Sequence, residues 1–412
     1  MLEPLFRRLK AVYPELVELR RDLHRHPELS FEEVETPRKI AAHLKKLGLE
    51  VKEGVGGRGV VGWLKGGKPG PTVALRADFD ALNIQDEKHV PYKSTIDGKM
   101  HACGHDIHTA TLLGVANVLS EVRAELAGNV VFIHQFAEEL TPGGAKPMIE
   151  DGCLDGVDVI YGAHVWAGIP YGAVGVRSGH TMAAVDAFDI EIKGRGGHGA
   201  EPHLTIDPIV IGSQLVQQLQ QIVSRKVNPL KAAVVTVGSF HGGDAFNVIP
   251  DSAKMKGTVR TFDPAVRDLV AKQVQRTVEA AAQQSGADIK LDYLRGYPAL
   301  VNHEQETSKV EALANKLLGE QKVLRMEPMM GGEDFAYYLE QVPGAFFFVG
   351  GGNPEIGAAY PHHHPLFDVD ERSMLISGQL FISLVLNTLS AGKIVPEHTA
   401  VHLDVDSLQM KS

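Results

Sequence analysis

The segment from 101 to 108 places a thiol, three imidazoles and a carboxylate in eight consecutive residues. It reads His101-Ala102-Cys103-Gly104-His105-Asp106-Ile107-His108 and holds one of the two cysteines of the 412-residue chain. Cys103 and His105, at positions i and i+2, can face one cation if the backbone between them turns, and Gly104 allows that turn. A buried cysteine among core histidines is the alternative interpretation of this segment alone.

Three further groups of metal-ligand residue types occur elsewhere in the chain. They are Glu138-Glu139, Gly162-Ala163-His164-Val165 and Pro361-His362-His363-His364-Pro365. Carboxylates and imidazoles that converge on a cysteine suit divalent transition metals, zinc in particular. The four groups together predict a metalloenzyme with a composite site. For the carboxylate pair alone, a solvated acidic pair at the start of a loop is the alternative.

Composition and charge narrow the class of protein. The chain is 44% hydrophobic, which suffices to form the cores of two domains. Its formal net charge of −10 argues against a nucleic-acid partner. Two cysteines cannot form a disulfide framework and fit a reducing compartment. The first residues lack the apolar core of a signal peptide, and no apolar run approaches the roughly 20 residues of a membrane helix. We therefore expect a cytoplasmic protein without a membrane partner.

Alternating helices and strands are predicted to position the four groups of metal-ligand residue types. Apolar residues at helical spacing extend over residues 3–48, with a break at His26-Pro27-Glu28. Short apolar runs predict strands at 60–64, 72–77 and 129–133, and the last has the continuous apolar character of a strand buried on both faces. A helix is predicted from 109 to about 126. This alternation predicts an α/β core, with the metal-ligand groups following strands, where open α/β sheets form their binding crevices.

The pattern changes near residue 183. Residues 185–193 largely alternate apolar and charged side chains, as half-exposed antiparallel strands do. The elements that follow are a helix at 208–223, strands at 232–237 and 253–261, a helix at 264–285 and a strand at 288–293. This βαββαβ order is that of a ferredoxin-like sandwich. We therefore predict a catalytic α/β domain formed by residues 1–183 and 300–412, interrupted by an α+β module at 184–299.

Eight motifs follow one another along the chain in a fixed order. They are Arg21-Asp22-Leu23-His24-Arg25-His26-Pro27-Glu28-Leu29-Ser30, Arg76-Ala77-Asp78-Phe79-Asp80-Ala81-Leu82, Cys103-Gly104-His105-Asp106-Ile107-His108-Thr109, Ala137-Glu138-Glu139, Gly162-Ala163-His164-Val165, Gly196-Gly197-His198-Gly199-Ala200, Gly332-Glu333-Asp334-Phe335 and His363-His364-Pro365. The series closely resembles the M20 metallopeptidases, specifically the amidohydrolase branch that contains hippurate hydrolases, N-acyl-amino-acid amidohydrolases and auxin-conjugate hydrolases. The resemblance implies a zinc-peptidase-like domain, a mixed sheet flanked by helices, with an inserted ferredoxin-like lid and dimerisation domain.

The resemblance also implies two divalent metal ions per subunit and a set of ligands for them. The implied ligands are Cys103, His105, Glu139, His164 and His363. Zinc, manganese, cobalt and nickel all remain open as the native metal. Metal-assisted amide hydrolysis needs a general base that takes a proton from the attacking water and returns it to the leaving nitrogen. By resemblance, that base is Glu138.

Other residues are implied to support the ligands. Asp80, Asp106 and His108 are candidates for holding ligand imidazoles by hydrogen bonds, with helix or turn capping as the alternative. Asp78 stands where other M20 members have a histidine ligand, so a ligand role for Asp78 is in doubt.

The inserted module carries the remaining candidates. By resemblance, His198 steadies the oxyanion of the tetrahedral intermediate, in several relatives from a partner subunit. Asn247 and Arg260 are implied to contact the carbonyl or carboxylate of the substrate, which an arginine can hold through two parallel hydrogen bonds. An exposed loop histidine and a charge on a strand surface are the alternatives for His198 and Arg260.

The resemblance implies hydrolysis of the linear amide of an N-acyl amino acid, and a homo-oligomer formed through the inserted module. Alternatives are an M20-type carboxypeptidase or dipeptidase, or a non-catalytic relative that binds metal. The sequence departs from the family pattern at Phe136, where relatives have proline, and at Asn83. Neither position is an implied ligand. Phe136 can reshape the pocket for the acyl group, so the sequence does not identify the acyl group of the substrate.

Overall fold

A computed structural model describes residues 2–390 of the chain. The helices of this range are α1 (Leu2–Arg25), α2 (Glu35–Lys46), α3 (His105–Glu121), α4 (Ala145–Glu150), α5 (Pro208–Lys226), α6 (Pro264–Ser285), α7 (Glu304–Leu318), α8 (Ala336–Leu339) and α9 (Ser373–Leu389). The strands are β1 (Glu50–Val55), β2 (Gly59–Lys65), β3 (Lys68–Asp78), β4 (Ala127–Gln135), β5 (Val159–Pro170), β6 (Val174–Val176), β7 (Gly179–Met182), β8 (Ala184–Lys193), β9 (Gly197–His198), β10 (Ala233–Gly242), β11 (Val248–Ile249), β12 (Ser252–Thr261), β13 (Asp288–Arg295), β14 (Leu300–Asn302), β15 (Val323–Arg325) and β16 (Gly344–Gly352). None of the helices between residues 2 and 390 has the length and apolar character needed to cross a membrane.

The chain forms two compact units. Within the described range, the second unit comprises His180–Leu300 and Pro328–Glu333, and the first comprises the rest. The sequence predicted an inserted module at 184–299, so the short segment Pro328–Glu333 is an addition that the pattern did not indicate. Backbone hydrogen bonds account for it, because the Ala183 N–H lies 3.0 Å from the Met329 carbonyl oxygen and 2.9 Å from that of Gly331.

An eight-stranded mixed sheet forms the centre of the first unit, in the order β1-β2-β4-β3-β5-β16-β6-β15. β3 is parallel to β4 and to β5, and β16 is parallel to β5. The inner strands β4 and β16 are buried over nearly their whole length, which explains their continuous apolar sequence, because helices cover the sheet. The predicted α/β class with a mixed sheet is confirmed.

Helix α3 begins four residues before the start that the sequence predicted. The apolar repeat suggested a start at Thr109, whereas the helix begins at His105. The cause lies at Gly104, which has a φ of +95° and would place a Cβ 2.5 Å from Val165 Cγ1. Only glycine combines that turn with that close approach. The first turn of α3 therefore brings His105 and His108 to the edge of the sheet, beside Asp78 and Asp80.

The second unit has the βαββαβ order that the sequence predicted. Its main sheet is antiparallel in the order β10-β12-β8-β13, and α5 and α6 pack on it. Alternate residues of β8 form its core with α5 and α6, including Phe188, Ile190 and Ile192. Asp207 and Asp263 cap the two helices by accepting backbone hydrogen bonds from their first turns.

Candidate active site

Parallel strands bring most of the predicted site residues to one edge of the large sheet. β3 ends at Asp78, and β4 ends just before the Glu138-Glu139 pair. His164 lies on β5, two residues beyond the Arg76–Gly162 register pair, level with the end of β3. Carboxyl ends of parallel strands form the binding crevice of open α/β sheets, and the start of α3 meets this edge.

The five predicted ligands lie close together within the first unit. Two overlapping groups, Cys103/His105/His164 and Cys103/Glu139/His363, each keep their donor atoms within 4.8 Å of one another. Cys103 Sγ lies 3.4 Å from His164 Nε2, and Glu139 Oε1 lies 3.4 Å from His363 Nε2. The backbone N–H of His363 donates to the Ala102 carbonyl at 2.8 Å, which fixes the histidine-rich segment beside Cys103.

The electrostatics among these side chains fit a bound cation. His105 Nε2 is buried and has no hydrogen-bond partner. Burial lowers the pKa of His105, but the carboxylates of Asp78 and Asp80 outweigh burial and raise that pKa to about 10. Burial, reinforced by the charges of Glu139 and Glu138, raises the pKa of the Cys103 thiol well above its usual range. Buried carboxylates thus favour positive charge here, which divalent ions would supply.

His164 has the protonation state of a metal ligand. Burial, together with the neighbouring imidazoles of His108 and His362, keeps the pKa of His164 well below its usual range. Its Nδ1 lies 2.6 Å from the Val165 carbonyl oxygen, so Nδ1 carries the proton and Nε2 is left as the donor atom toward Cys103.

Two of the three predicted supporting residues contact groups of the site directly. Asp80 Oδ1 lies 3.0 Å from His105 Nδ1, the geometry expected for a carboxylate that orients a ligand imidazole. His108 Nδ1 lies 2.7 Å from Asp78 Oδ1, and His108 Nε2 accepts a hydrogen bond from the backbone N–H of Val165. His108 therefore supports the strand that carries His164 rather than a ligand imidazole.

Asp106 differs from the expectation that it holds a ligand imidazole. Its Oδ2 lies 2.8 Å from both Arg20 Nε and His24 Nδ1, so it faces α1, on the side of α3 away from the cluster of ligands. The reason is the helical position of Asp106, since one residue along a helix turns a side chain by about 100° from His105. Asp106 thus anchors α3 to α1.

Glu138 is nearly buried beside the predicted ligands. Its side chain is 8% exposed, and its Oε2 lies 4.0 Å from His105 Nε2. The preceding residue, Ala137, has a φ of +50°, a left-handed conformation that is unusual for a residue with a side chain. Asp80 Oδ2 accepts a hydrogen bond from the Glu139 N–H at 3.0 Å, so one aspartate contacts both His105 and the turn that carries the two glutamates.

The predicted substrate-binding residues and His198 lie in the second unit. His198, in β9, pairs with Val248 of β11, and the Gly199 N–H donates to the Asn247 carbonyl at 2.8 Å, so His198 and Asn247 are neighbours. The side chains of both residues are exposed. Arg260 is half-buried on β12, and burial lowers the pKa of its guanidinium.

Several residues at the site were not assigned a role from the sequence. Arg76 Nη1 donates to Asp78 Oδ2 at 2.6 Å, so Asp78 is occupied by Arg76 and His108. The i and i+2 spacing of Arg76 and Asp78 on a strand is a signal for this pair, because such residues share a face. His362 belongs to the histidine triplet that the sequence singled out, and its Nδ1 lies 3.7 Å from Cys103 Sγ. Glu33 contacts the turn at Ala137 and has no clear signal in the sequence.

Comparison with known proteins gives consistent matches over nearly the whole chain. Residues 74–387 match Peptidase family M20/M25/M40. The Bacillus subtilis protein YhaA is 52% identical over 374 residues, which cover 91% of this chain and 94% of that protein. N-acetylcysteine deacetylase of Bacillus subtilis is 42% identical over 385 residues, covering 93% of this chain and 99% of that protein. The crystal structure of a dinuclear metal-binding peptidase of the M20 family from Bacillus subtilis has a TM-score of 0.78 at 39% identity, covering 92% of this chain and 99% of that one.

Proposed function

The chain belongs to Peptidase family M20/M25/M40 and is a metal-dependent hydrolase of amide bonds, and we propose that its substrates are N-acyl amino acids. The observation that carries this proposal is the convergence of Glu138 with five thiol, imidazole and carboxylate donors at one sheet edge. Similarity to a deacetylase that acts on N-acetylcysteine supports the substrate class.

We propose that Cys103, His105, Glu139, His164 and His363 hold two divalent ions. The unpartnered Nε2 of His105 and the neutral imidazole of His164 support this assignment, as does the excess of buried negative charge around them. Bound divalent ions would polarise the scissile carbonyl and make the attacking water more acidic. The donor set suits zinc, with manganese, cobalt and nickel as alternatives.

Glu138 is the proposed proton carrier. It takes a proton from the attacking water as the C–O bond forms, and gives that proton to the amide nitrogen as the C–N bond breaks, which yields a carboxylate and an amine. The near-burial of its carboxylate keeps bulk water from competing for the proton.

Residues of the second unit are proposed to bind the substrate. His198 would steady the oxyanion, since its exposed imidazole accepts the Ala200 N–H at Nδ1 and thus leaves Nε2 to carry a proton outward. Arg260 would hold the free carboxylate of the amino acid, and Asn247 the acyl carbonyl. Half-burial of Arg260 strengthens its attraction for a carboxylate.

The substitution Glu138→Gln tests the assignment of the base. We expect turnover to fall by about 10²–10⁴-fold while the metal content stays at the wild-type level, because the amide keeps the size of the side chain and loses its basicity. Glu150→Gln, at the exposed end of α4, is the matched control and keeps full turnover. Turnover of Glu138→Gln within about threefold of wild type contradicts the assignment.

We further propose a homo-oligomer formed through the second unit and a reducing, cytoplasmic environment. Phe246 is fully exposed and Val248 is half-exposed in the loop before β11 and in β11 itself, which supports contact with another subunit. Both cysteines are free and buried, which suits a reducing compartment. Sedimentation measures the oligomeric state of wild type and of Phe246→Ser, and we expect an oligomer that Phe246→Ser weakens. A monomeric wild-type protein contradicts the proposed assembly.

A further inference from the structure

Three residues other than glycine have a positive φ in the part of the chain that the structure describes, and all three lie at the candidate site or beside it. They are Phe31 at +65°, Ala137 at +50° and His363 at +64°. Such conformations persist only where surrounding contacts hold them, and they cluster at functional sites. At each of the three residues, contacts with the surrounding structure therefore hold the backbone in a left-handed conformation.

Ala137 is the position with the greatest consequence for chemistry. It lies immediately before Glu138 and Glu139, the proposed base and a proposed ligand. A change in the φ of Ala137 would rotate the backbone that carries both carboxylates. Without contacts that hold it, alanine would leave the left-handed region, where its Cβ lies too close to the following carbonyl oxygen.

Glu33 supplies the contact at this residue. Its side chain is fully buried, and its Oε1 accepts a hydrogen bond from the backbone N–H of Ala137 at 2.9 Å. On the other side, the Gly144 N–H donates to the Ala137 carbonyl at 3.1 Å. Both polar groups of the Ala137 backbone are thus hydrogen-bonded in this conformation of the turn.

The loop that carries Glu33 is itself fixed to the site. The Ala81 N–H donates to the Glu28 carbonyl at 2.8 Å, and the Ser30 hydroxyl donates to Asp80 Oδ2 at 2.7 Å. The ring of Phe31 packs edge-on against Phe136, with centroids 5.8 Å apart. These contacts fix the position of the loop relative to the turn at Ala137, and the hydrogen bond from the Ala137 N–H to Glu33 links the two segments.

We propose that Glu33 is a positioning residue that holds Ala137 in its left-handed conformation and thereby aims Glu138 and Glu139. This inference rests on the proposed function, in which Glu138 is the base. Glu33 touches neither the substrate nor the reacting atoms. Its action depends on an acceptor oxygen at Oε1, so a neutral side chain with the same oxygen can replace it.

Glu28 offers a matched control in the same loop. Its carboxylate accepts hydrogen bonds from the N–H groups of Val34, Glu35 and Thr36, at 2.8–3.0 Å, and so caps α2. Its carboxylate makes no hydrogen bond with the turn at Ala137. Loss of the Glu28 carboxylate therefore weakens the start of α2, while the Glu28 carbonyl, Ser30 and Phe31 still hold the loop and Glu33 keeps its contact with Ala137.

The test compares Glu33→Ala, Glu33→Gln and Glu28→Ala as metal-loaded enzymes on an N-acyl amino acid. Because a displacement of about 1 Å at a catalytic group can cost 10²-fold, we expect kcat of Glu33→Ala to fall by about 100-fold with KM within about threefold. Zinc affinity of the stripped protein, measured by competition with a chelator, falls by about 10–100-fold because Glu139 is on the same turn. Glu33→Gln and Glu28→Ala stay within about fivefold in kcat and zinc affinity.

Three results overturn the proposal. These are an unchanged kcat in Glu33→Ala, a loss in Glu28→Ala equal to that in Glu33→Ala, and a failure of Glu33→Gln to retain activity. Thermal unfolding of each variant identifies any that does not fold. Among the folded variants, a zinc affinity of Glu33→Ala equal to that of wild type also overturns the proposal. Glu138→Gln, assayed in parallel, separates the two proposals: an active Glu138→Gln refutes the proposed base whatever Glu33 does.

Discussion

Replacing Arg20 by methionine tests a group of buried charges behind the candidate site. The Arg20 guanidinium is fully buried in α1, with Nε 2.8 Å from Asp106 Oδ2, Nη2 3.0 Å from Asp368 and Nη1 3.1 Å from Glu371. Methionine fills most of the volume but removes the cation that the three carboxylates share, while Glu371 keeps Arg21 and Asp106 keeps His24, each at 2.8 Å. Breaking a buried ion pair costs about 3–5 kcal/mol, and the partners that remain keep the expected loss within that range.

The matched control is Arg8→Met on the same helix. Arg8 Nε lies 2.7 Å from Glu121 Oε1, but both side chains are more than 40% exposed (42% and 44%). Water screens this pair, so its loss costs at most about 1 kcal/mol. The same substitution on the same helix thus separates burial of the charge from loss of an arginine.

Urea denaturation of the metal-loaded protein measures the difference. The two tryptophans of the chain, Trp63 and Trp166, lie on β2 and β5 of the first unit, so their fluorescence reports the unfolding of the unit that contains Arg20. A loss in Arg20→Met no greater than in Arg8→Met would refute the account of this network.

The cost of Arg20→Met depends on pH. Burial raises the pKa of Asp368, but the charges of Arg20 and Lys88 outweigh it and hold that pKa below its ordinary value. In wild type, this carboxylate therefore stabilises the fold above about pH 4 and ceases to do so as the pH falls further. Without Arg20 the pKa of Asp368 rises, so protonation relieves the destabilisation. The stability difference should be larger at pH 8 than at pH 5.

Three further predictions concern the site and the second unit. Asp80→Ala should weaken zinc binding by about 10–100-fold in a chelator competition, because Asp80 orients His105; unchanged affinity would exclude that role. Zinc binding near pH 7 should release protons from His105, whose pKa is raised to about 10, and from Cys103, whose pKa burial raises well above its usual range. Calorimetry in buffers of different ionisation enthalpy should therefore find about two protons released per protein and an affinity that rises with pH. A pH-independent affinity would contradict these assignments. Asp263→Ala should lower the stability of the second unit by about 1 kcal/mol in chemical denaturation, since Asp263 Oδ1 accepts the Ala265 N–H at 2.8 Å; no change would rule out the cap.

Periodic apolar patterns made the framework predictable from the sequence. The continuous apolar run of β4 indicated a strand buried on both faces, and the alternation in β8 indicated a half-exposed one, as the structure has them. Both signals arise within a few neighbouring residues. The start of α3 was predicted four residues late because its first turn carries the polar site residues, which interrupt the apolar repeat.

Contacts between distant segments were less predictable. Asp106 is adjacent to a predicted ligand in sequence, yet its partner is Arg20 on another helix. Glu33 acts on Ala137 across 104 positions, through a backbone N–H that leaves no mark on the side-chain pattern. Resemblance to a family predicted the candidates for chemical roles and the support of His105 by Asp80, whereas the contacts of Arg20 and Glu33 emerged only from the fold.

Hydrolysis by metal-stripped enzyme, before and after metal addition, tests the central claim most directly. The substrates are acetyl-, benzoyl- and indole-acetyl-amino acids and unmodified dipeptides, with zinc, manganese, cobalt or nickel added back. We expect no cleavage without metal and restored cleavage of at least one N-acyl amino acid with two ions bound. Restored cleavage of dipeptides alone would contradict the proposed substrate class, and inactivity with two ions bound would contradict the catalytic assignment itself.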